Sequence, residues 1–296
     1  MTAKILDGKA LSRQLRAELA AQVAALRAGG IVPGLGVLLV GDNPASRAYV
    51  TAKEKACGEL GMHSSEVRLP ASASRGEILR VVSEFNRDPR VHGILVQLPL
   101  PDGSMEQEVL ETVDPAKDVD GFHPVNVGRA VLGLPAFLPC TPHGILQMLR
   151  RAGIPVAGAH AVVIGRSHIV GRPLANLLSQ KGEAGNATVT LCHTATRDLA
   201  QHTRHADIVI AAAGRPNTVR ADMIREGAVV VDVGMNRVAD SSAPRGYRLV
   251  GDVAFDEVRE KASWITPVPG GVGPMTITML LFNTVAAARG GPAGSL

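Results

Sequence analysis

Leu11, Leu15, Leu19, Val23 and Leu26 fall on one face of a 3.6-residue repeat until Gly29-Gly30 interrupts it, which predicts an opening amphipathic helix. From Leu35 to Val40 every position is apolar (LGVLLV), the pattern of a parallel strand covered on both faces. Gly41-Asp42-Asn43-Pro44 then supplies a turn, a cap and a first-turn proline, so a helix through about Leu60 follows. A strand at His63–Leu69, a helix from the Ser74/Glu77 capping-box pair to about Asn86, and a strand at Val91–Leu98 continue the alternation. A shorter helix is expected over Met105–Thr112. Thr141 reads as the cap, and Pro142 as the first residue, of a helix to about Arg151. Beyond it the pattern predicts strands at His160–Ile164, Ala187–Cys192, Asp207–Ala211 and Ala228–Val233, and helices at Val170–Lys181 and from Met275 to about Ala288, the last after the rigid loop Pro267–Pro274. Alternating strands and helices in both halves imply an α/β chain with two parallel-sheet domains.

The second half is organised around Ala161–Gly171 (AVVIGRSHIVG), where a buried strand breaks at Gly165 and a helix restarts near Val170. A glycine turn feeding a helix N-terminus offers backbone N–H groups and a positive dipole end, so a dinucleotide and a plain strand–helix turn are both compatible with it. The motif has Ser167 where the usual G-x-G-x-x-G places its second glycine. After the next strand stand His193 and Thr194, with no carboxylate to hold a ribose 2′-hydroxyl. Arg166, His193 and Thr194 are instead suited to a 2′-phosphate, which leans the reading towards NADP over NAD, unless these are simply solvated loop residues. On the dinucleotide reading this half is a Rossmann-like NAD(P)-binding domain. The domain boundaries are set at 1–139 and 140–275; the C-terminal helix at 276–296 suits packing across either domain and is set with the first.

Composition narrows the classes. At 296 residues, 46% hydrophobic and 20% charged, the chain suits an ordinary globular protein of two domains. Aromatics at 3%, and a net charge of +4 with no basic run, argue against a nucleic-acid binder. No apolar stretch approaches a membrane span, and no signal-peptide core opens the chain. Cys57, Cys140 and Cys192 form no C-x-x-C pair and read as reduced thiols, so the expected location is the cytoplasm.

Candidate chemistry sits mainly in the first half. Tyr49 and Lys53 are four residues apart on one predicted helix and share a face, either an exposed edge or a ligand-facing pair. Only seven of the 31 basic residues are lysines, so an amine that can lose its proton is a reason for one here. Gln97 stands at the carboxyl end of a buried strand, where open α/β sheets gather their sites, though a polar strand cap reads the same way. The loop Lys117-Asp118-Val119-Asp120-Gly121-Phe122-His123-Pro124 is too rich in polar groups for a spacer, yet it lacks the later glutamate of a calcium loop, and no metal is expected. Gly270-Gly271 is either a helix-entry loop or a phosphate seat.

Six separated motifs, in one order over essentially the whole chain, resemble the methylenetetrahydrofolate dehydrogenase/cyclohydrolase family. They are Ser46-x-x-Tyr49-x-x-x-Lys53, Val96–Pro101 (VQLPLP), Lys117–Phe122 (KDVDGF), Pro139–Pro142 (PCTP), Gly165-Arg166-Ser167-x-x-Val170-Gly171-x-Pro173 and Pro267-x-Pro269-Gly270-Gly271-Val272-Gly273-Pro274-Met275-Thr276. The resemblance implies oxidation of 5,10-methylenetetrahydrofolate with NADP⁺ and hydrolysis of the methenyl product to 10-formyltetrahydrofolate, at a cleft between the domains. It implies Lys53 as the catalytic lysine, Gln97 as its hydrogen-bonding partner, Tyr49 lining the folate pocket and Asp120 reading the pterin. Leu98, Pro99, Gly270 and Thr276 are implied on the substrate side, and Gly165, Arg166, Ser167, Ile169, Thr194 and Gly271 on the cofactor side. A folate substrate, polyglutamylated forms included, and a homodimer are implied as partners, with no metal, nucleic acid or membrane. Another Rossmann dehydrogenase or a nucleotide sensor would not need the Tyr49, Lys53, Gln97 and Asp120 set.

Overall fold

A computed structural model describes residues 2–243 and 246–292. It divides into two compact units, Arg13–Cys140 with the helix segment from Ile277 onward, and Thr141–Thr276 with the stretch up to Ser12. The last four positions of the expected segment 276–296, and residue 1, lie outside the described residues. In chain order the first half holds β1 (Lys4–Ile5), α1 (Gly8–Ala28), β2 (Gly34–Val40), α2 (Pro44–Glu59), β3 (His63–Leu69), α3 (Arg75–Arg87), β4 (Gly93–Val96), α4 (Glu106–Thr112) and α5 (Pro124–Val131). The second half holds α6 (Cys140–Arg151), β5 (His160–Ile164), α7 (Gly171–Ser179), β6 (Thr188–Cys192), α8 (Leu199–Thr203), β7 (Ile208–Ala211), β8 (Val229–Asp232), β9 (Asn236–Ala239), β10 (Tyr247–Val250), α9 (Phe255–Arg259), β11 (Trp264–Ile265) and α10 (Val272–Ala288).

In the Arg13–Cys140 unit a parallel sheet runs β3-β2-β4, with β2 in the middle and buried at every residue, as its unbroken apolar run requires. α3 lays Ile78, Val81, Val82 and Phe85 on this sheet, and Gly36 of β2 is where the Phe85 ring packs. Burial of such side chains contributes about 1.5–3 kcal/mol each. From β2 the chain crosses to β3 on one side, while β4 returns on the other, so the carboxyl ends of β2 and β4 flank a point where the connections diverge. The Gln97 amide N–H bonds the Leu38 carbonyl at 2.9 Å, which sets Gln97 at that point.

In the Thr141–Thr276 unit a six-stranded parallel sheet runs β1-β11-β8-β7-β5-β6. The order reverses at β5, from which the chain goes first to β6 and then back past β5 to β7, the arrangement of an open nucleotide-binding sheet. Residues 2–12, expected with the first domain, fall in this unit: Lys4–Ile5 pairs with β11, and Ala3 is buried in the core of Val162, Val209 and Val230.

Other departures are local. The β9/β10 hairpin, α5 and the two-residue strands β1 and β11 were not expected. α6 begins two residues early, at Cys140, so Thr141 lies inside its first turn and its hydroxyl meets Thr276 Oγ1 at 2.8 Å instead of capping. α10 begins at Val272, with Pro274 in the first turn where a missing N–H breaks no intrahelical bond. Among the described residues no helix is long and apolar enough to cross a membrane.

Candidate active site

α2 is anchored by Asn43, whose side-chain oxygen accepts the Ser46 N–H at 3.4 Å, and it carries Tyr49 and Lys53 one turn apart. Lys53 is only 7% exposed, and its Nζ donates to Gln97 Oε1 at 3.0 Å. Gln97 Nε2 in turn donates to the Leu98 carbonyl at 2.7 Å, so the amide has one orientation and its oxygen faces the amine. Burial pulls the Lys53 amine below the usual lysine range, and the Asp120 carboxylate partly restores it. Burial likewise pushes the half-buried Tyr49 phenol up. Leu98 packs against the α3 core, and Pro99, reached through a cis peptide, is exposed.

The polar loop after α4 divides its labour. Lys117 Nζ donates to the Phe85 and Asp88 carbonyls at 3.1 and 3.0 Å and thereby closes the C-terminus of α3. The buried Asp118 carboxylate accepts the N–H groups of Gly121, Phe122 and His123 at 3.1, 3.2 and 2.8 Å and the Asn126 side-chain amide at 2.9 Å. Gly121 turns with φ 73°, and a Cβ there would press on Phe137 O and Leu138 C at 2.7 Å. These residues build the loop; Asp120 is the acid they present to Lys53. Burial pushes its carboxyl up to about 6, against the pull of the Lys53 ammonium.

Two residues that sequence reasoning did not assign hold this acid in place. The Cys140 thiol donates to the Val119 carbonyl at 3.4 Å and to the Asp120 carboxyl. Asn283, on α10, donates its side-chain amide to the Val119 and Leu138 carbonyls at 2.8 and 3.0 Å. A lone amide in an otherwise apolar helix was the signal for it.

In the Thr141–Thr276 unit Gly165 has φ 123°, and a Cβ on it would overlap the Ala212 carbonyl oxygen. A Cβ on Gly171 would overlap the Gly165 carbonyl in turn, so the strand, turn and helix close directly on one another. The N–H groups at the start of α7 are not bare as expected: Ser167 Oγ accepts those of Val170 and Gly171 at 3.2 and 3.4 Å. Its lone pairs so engaged, that hydroxyl keeps its proton to donate outward. Arg166, Ser167, His168 and Ile169 are all exposed, Ile169 at 44%, and Arg172 Nη1 meets His168 Nε2 at 2.7 Å. Thr194 is brought to the same edge, because the Gly165 N–H bonds the Cys192 carbonyl at 2.8 Å and Thr194 stands exposed two residues further on.

Gly270, Gly271 and Thr276 are not gathered onto that turn. They follow β11, two strands removed from β5 by β8 and β7. The Gly270 carbonyl accepts the Lys9 N–H at 2.9 Å, and Gly8 sits against the Gly271 carbonyl where a Cβ would overlap it. Among the described residues no group of three His, Cys, Asp or Glu side chains is placed to hold a metal ion.

Comparison with known proteins agrees with both units. Residues 6–120 match the family model described as tetrahydrofolate dehydrogenase/cyclohydrolase, catalytic domain, and residues 139–291 match its NAD(P)-binding domain. The chain is 58% identical to bifunctional protein FolD 1 of Myxococcus xanthus over 97% of this chain and 98% of that protein. It is similar to the crystal structure of the bifunctional FolD enzyme of Campylobacter jejuni, with TM-score 0.91 and 51% identity over 97% and 99% of the two chains. It is also similar to the Trypanosoma brucei dehydrogenase-cyclohydrolase complexed with NADP cofactor and inhibitor, with TM-score 0.92 and 42% identity over 98% of each chain.

Proposed function

The chain belongs to the tetrahydrofolate dehydrogenase/cyclohydrolase family, and on that premise we propose how its residues divide the work. It is a bifunctional enzyme of one-carbon metabolism, oxidising 5,10-methylenetetrahydrofolate with NADP⁺ and hydrolysing the methenyl product to 10-formyltetrahydrofolate. Residues 13–140 with the helix segment from Ile277 are assigned to folate and catalysis, and 141–276, with residues 2–12 that join the same sheet, to the cofactor.

The turn fits a dinucleotide: two glycines keep Cβ atoms out of the strand–helix junction, and Arg166, Ser167 and Ile169, which follow the first of them, are exposed. Gly165, Arg166, Ser167 and Ile169 hold the cofactor, Gly271 contributes backbone to it, and Thr194 receives the 2′-phosphate, the strand-end positions 193 and 194 carrying no acid to repel that charge. Bound there, NADP⁺ supplies the two-electron acceptor for the methylene carbon.

The observation that carries the reading is the buried Lys53–Gln97 bond. An amine lowered by burial, beside a cationic methenyl carbon, is able to take a proton from water as the water oxygen bonds to that carbon. The resulting ammonium returns a proton to N5 as the C–N5 bond breaks, while the hydroxyl proton leaves to solvent and the formyl group remains on N10. Gln97 fixes the amine's direction, Asp120 accepts from the pterin N–H groups, Tyr49 lies along the folate ring and Leu98 and Pro99 line it; Gly270 and Thr276 are assigned to the substrate as well. We place the enzyme in the cytoplasm as a homodimer acting on folates that include polyglutamates. Its three cysteines are free and buried, in keeping with a reducing compartment, and sedimentation tests the dimer.

Lys53→Met tests the central role. Hydrolysis of preformed methenyltetrahydrofolate, followed by its absorbance, should fall at least roughly 100-fold, while direct titration shows NADP⁺ affinity unchanged. Hydrolysis at the wild-type rate would remove Lys53 from the mechanism.

A further inference from the structure

Two carboxylates that sequence reasoning did not single out lie deep in the Thr141–Thr276 unit. Asp232, at the end of β8, is 2% exposed, and Asp252, just after β10, is 0% exposed. Asp252 Oδ2 accepts the N–H groups of Ala213 and Gly214 at 2.6 and 2.8 Å, and its Oδ1 accepts from Asn236 Nδ2 at 2.8 Å. Asp232 Oδ1 accepts the N–H of Gly234 at 2.9 Å and that of Asp252 itself at 2.8 Å, while its Oδ2 accepts from Val253 at 3.0 Å. Gly234 and Gly251 make the interlock sterically possible, since a Cβ on either would overlap the other strand's carboxylate.

Ala213 and Gly214 occupy a special place. They follow β7, the strand beside β5 on the side where the sheet order reverses, and nucleotides lie outside the carboxyl ends of the strands at such a point. The turn at Gly165 touches this segment directly: the Ala212 N–H bonds the Ile164 carbonyl at 2.8 Å, and the missing Cβ of Gly165 is what admits the Ala212 oxygen. One wall of the crevice is therefore the Gly165–Gly171 turn, and the other is a loop whose first two amides are tied to Asp252.

We infer that Asp252, locked in place by Asp232, is a positioning residue for the cofactor: it holds Ala213-Gly214 as the second wall of the NADP crevice. All three partners of Asp252 are N–H donors, so only a group accepting on both ends satisfies them. Asparagine has the same volume but turns an NH2 either onto the Ala213 and Gly214 N–H groups or onto Asn236, which can offer its oxygen only by giving up its 3.3 Å bond to the Gly251 carbonyl. The inference rests on the reading that this unit binds NADP, and the experiment separates the two.

Asp252→Asn and Asn236→Ala are compared with the wild type in three measurements: direct NADP⁺ titration, KM and kcat of the dehydrogenase, and hydrolysis of preformed methenyltetrahydrofolate without cofactor. The expected result for Asp252→Asn is a rise in NADP⁺ Kd and KM of roughly tenfold or more, with hydrolysis retained. Asn236→Ala, which removes one donor and no charge, should give a smaller rise of about two- to tenfold in the same two constants. A wild-type protein that fails to bind NADP⁺ would sink the functional reading itself. Wild-type binding with unchanged Kd in both variants overturns the positioning role, as does equal loss of hydrolysis and cofactor affinity. If Asp252→Asn does not fold, Asn236→Ala decides alone by the same two criteria.

Discussion

Asp120 and Lys53 set each other's charge, and their coupling has a pH signature. The Asp120 carboxyl is pushed up to about 6 by burial, so it is a carboxylate above that pH and a neutral acid below it. As a carboxylate it is the largest influence raising the Lys53 pKa, against the burial that lowers it. Removing the charge lets Lys53 lose its proton more easily, so Asp120→Asn should move the rising limb of the hydrolysis pH profile to lower pH. On the proposed role of Asp120 the same variant should also lose charge-assisted bonds to the substrate, a loss of about 1.5–3 kcal/mol, or roughly 10–150-fold in kcat/KM. A limb that moves to higher pH would contradict the coupling, and an unchanged kcat/KM would contradict the recognition role. Which polar residues act was only partly legible at this scale. Helical spacing put Tyr49 and Lys53 on one face and the strand end singled out Gln97, and the structure joins Lys53 to Gln97. Within the Lys117–His123 loop, by contrast, sequence does not say that Lys117 caps α3, that Asp118 ties the turn and that Asp120 is presented; hydrogen-bond partners distant in sequence make that division.

Elements whose signals are local were legible, and α3 is the clearest. Ser74 Oγ accepts the Glu77 N–H at 3.3 Å while the Glu77 carboxylate accepts the Ser74 N–H at 2.7 Å, a complete capping box. Ser74→Ala should destabilise the protein by about 1 kcal/mol, read as a lower urea midpoint at constant slope, with both activities unchanged. A midpoint equal to the wild type would show that the box contributes nothing here. β2, and β5 beyond His160, were legible for a different reason, since burial on both faces leaves no polar position to blur the pattern. In the β9/β10 hairpin β9 alternates half-buried and exposed residues over only four positions and β10 breaks the alternation at its end, too little for a period to emerge. β1 and β11 exist only because each finds a neighbour in the sheet, and two residues carry no periodicity at all. The α7 N-terminus shows the opposite failure: the glycine turn was legible, but that Ser167 closes two of its amides depends on a rotamer.

At the scale of the whole chain each unit has a core of its own, Leu38, Ile78, Val82 and Ile94 in one and Val162, Val209, Val230 and Ile265 in the other. Alternation of strands and helices made the two sheets legible, whereas the membership of residues 2–12 was not, because it rests on Ala3 entering a core built some 160 residues away. Two cores allow cofactor stabilisation to be localised. A ligand that binds only the native state stabilises it by RT ln(1 + [L]/Kd), about 2.7 kcal/mol at a hundredfold excess over Kd. If the turn at Gly165 is the seat of NADP⁺, that free energy enters the unit of the six-stranded sheet, and amides that exchange only by opening that unit gain its protection. Hydrogen exchange at saturating NADP⁺ should therefore slow in β5, β7 and β8, up to roughly 100-fold for the slowest amides. The effect should persist in Lys53→Met, whose altered side chain lies in the other unit, and at the same NADP⁺ concentration it should shrink in Asp252→Asn. Protection confined to β2, β3 and β4 would place the cofactor in the wrong half of the chain, and with it the assignment of Arg166, Ser167 and Thr194.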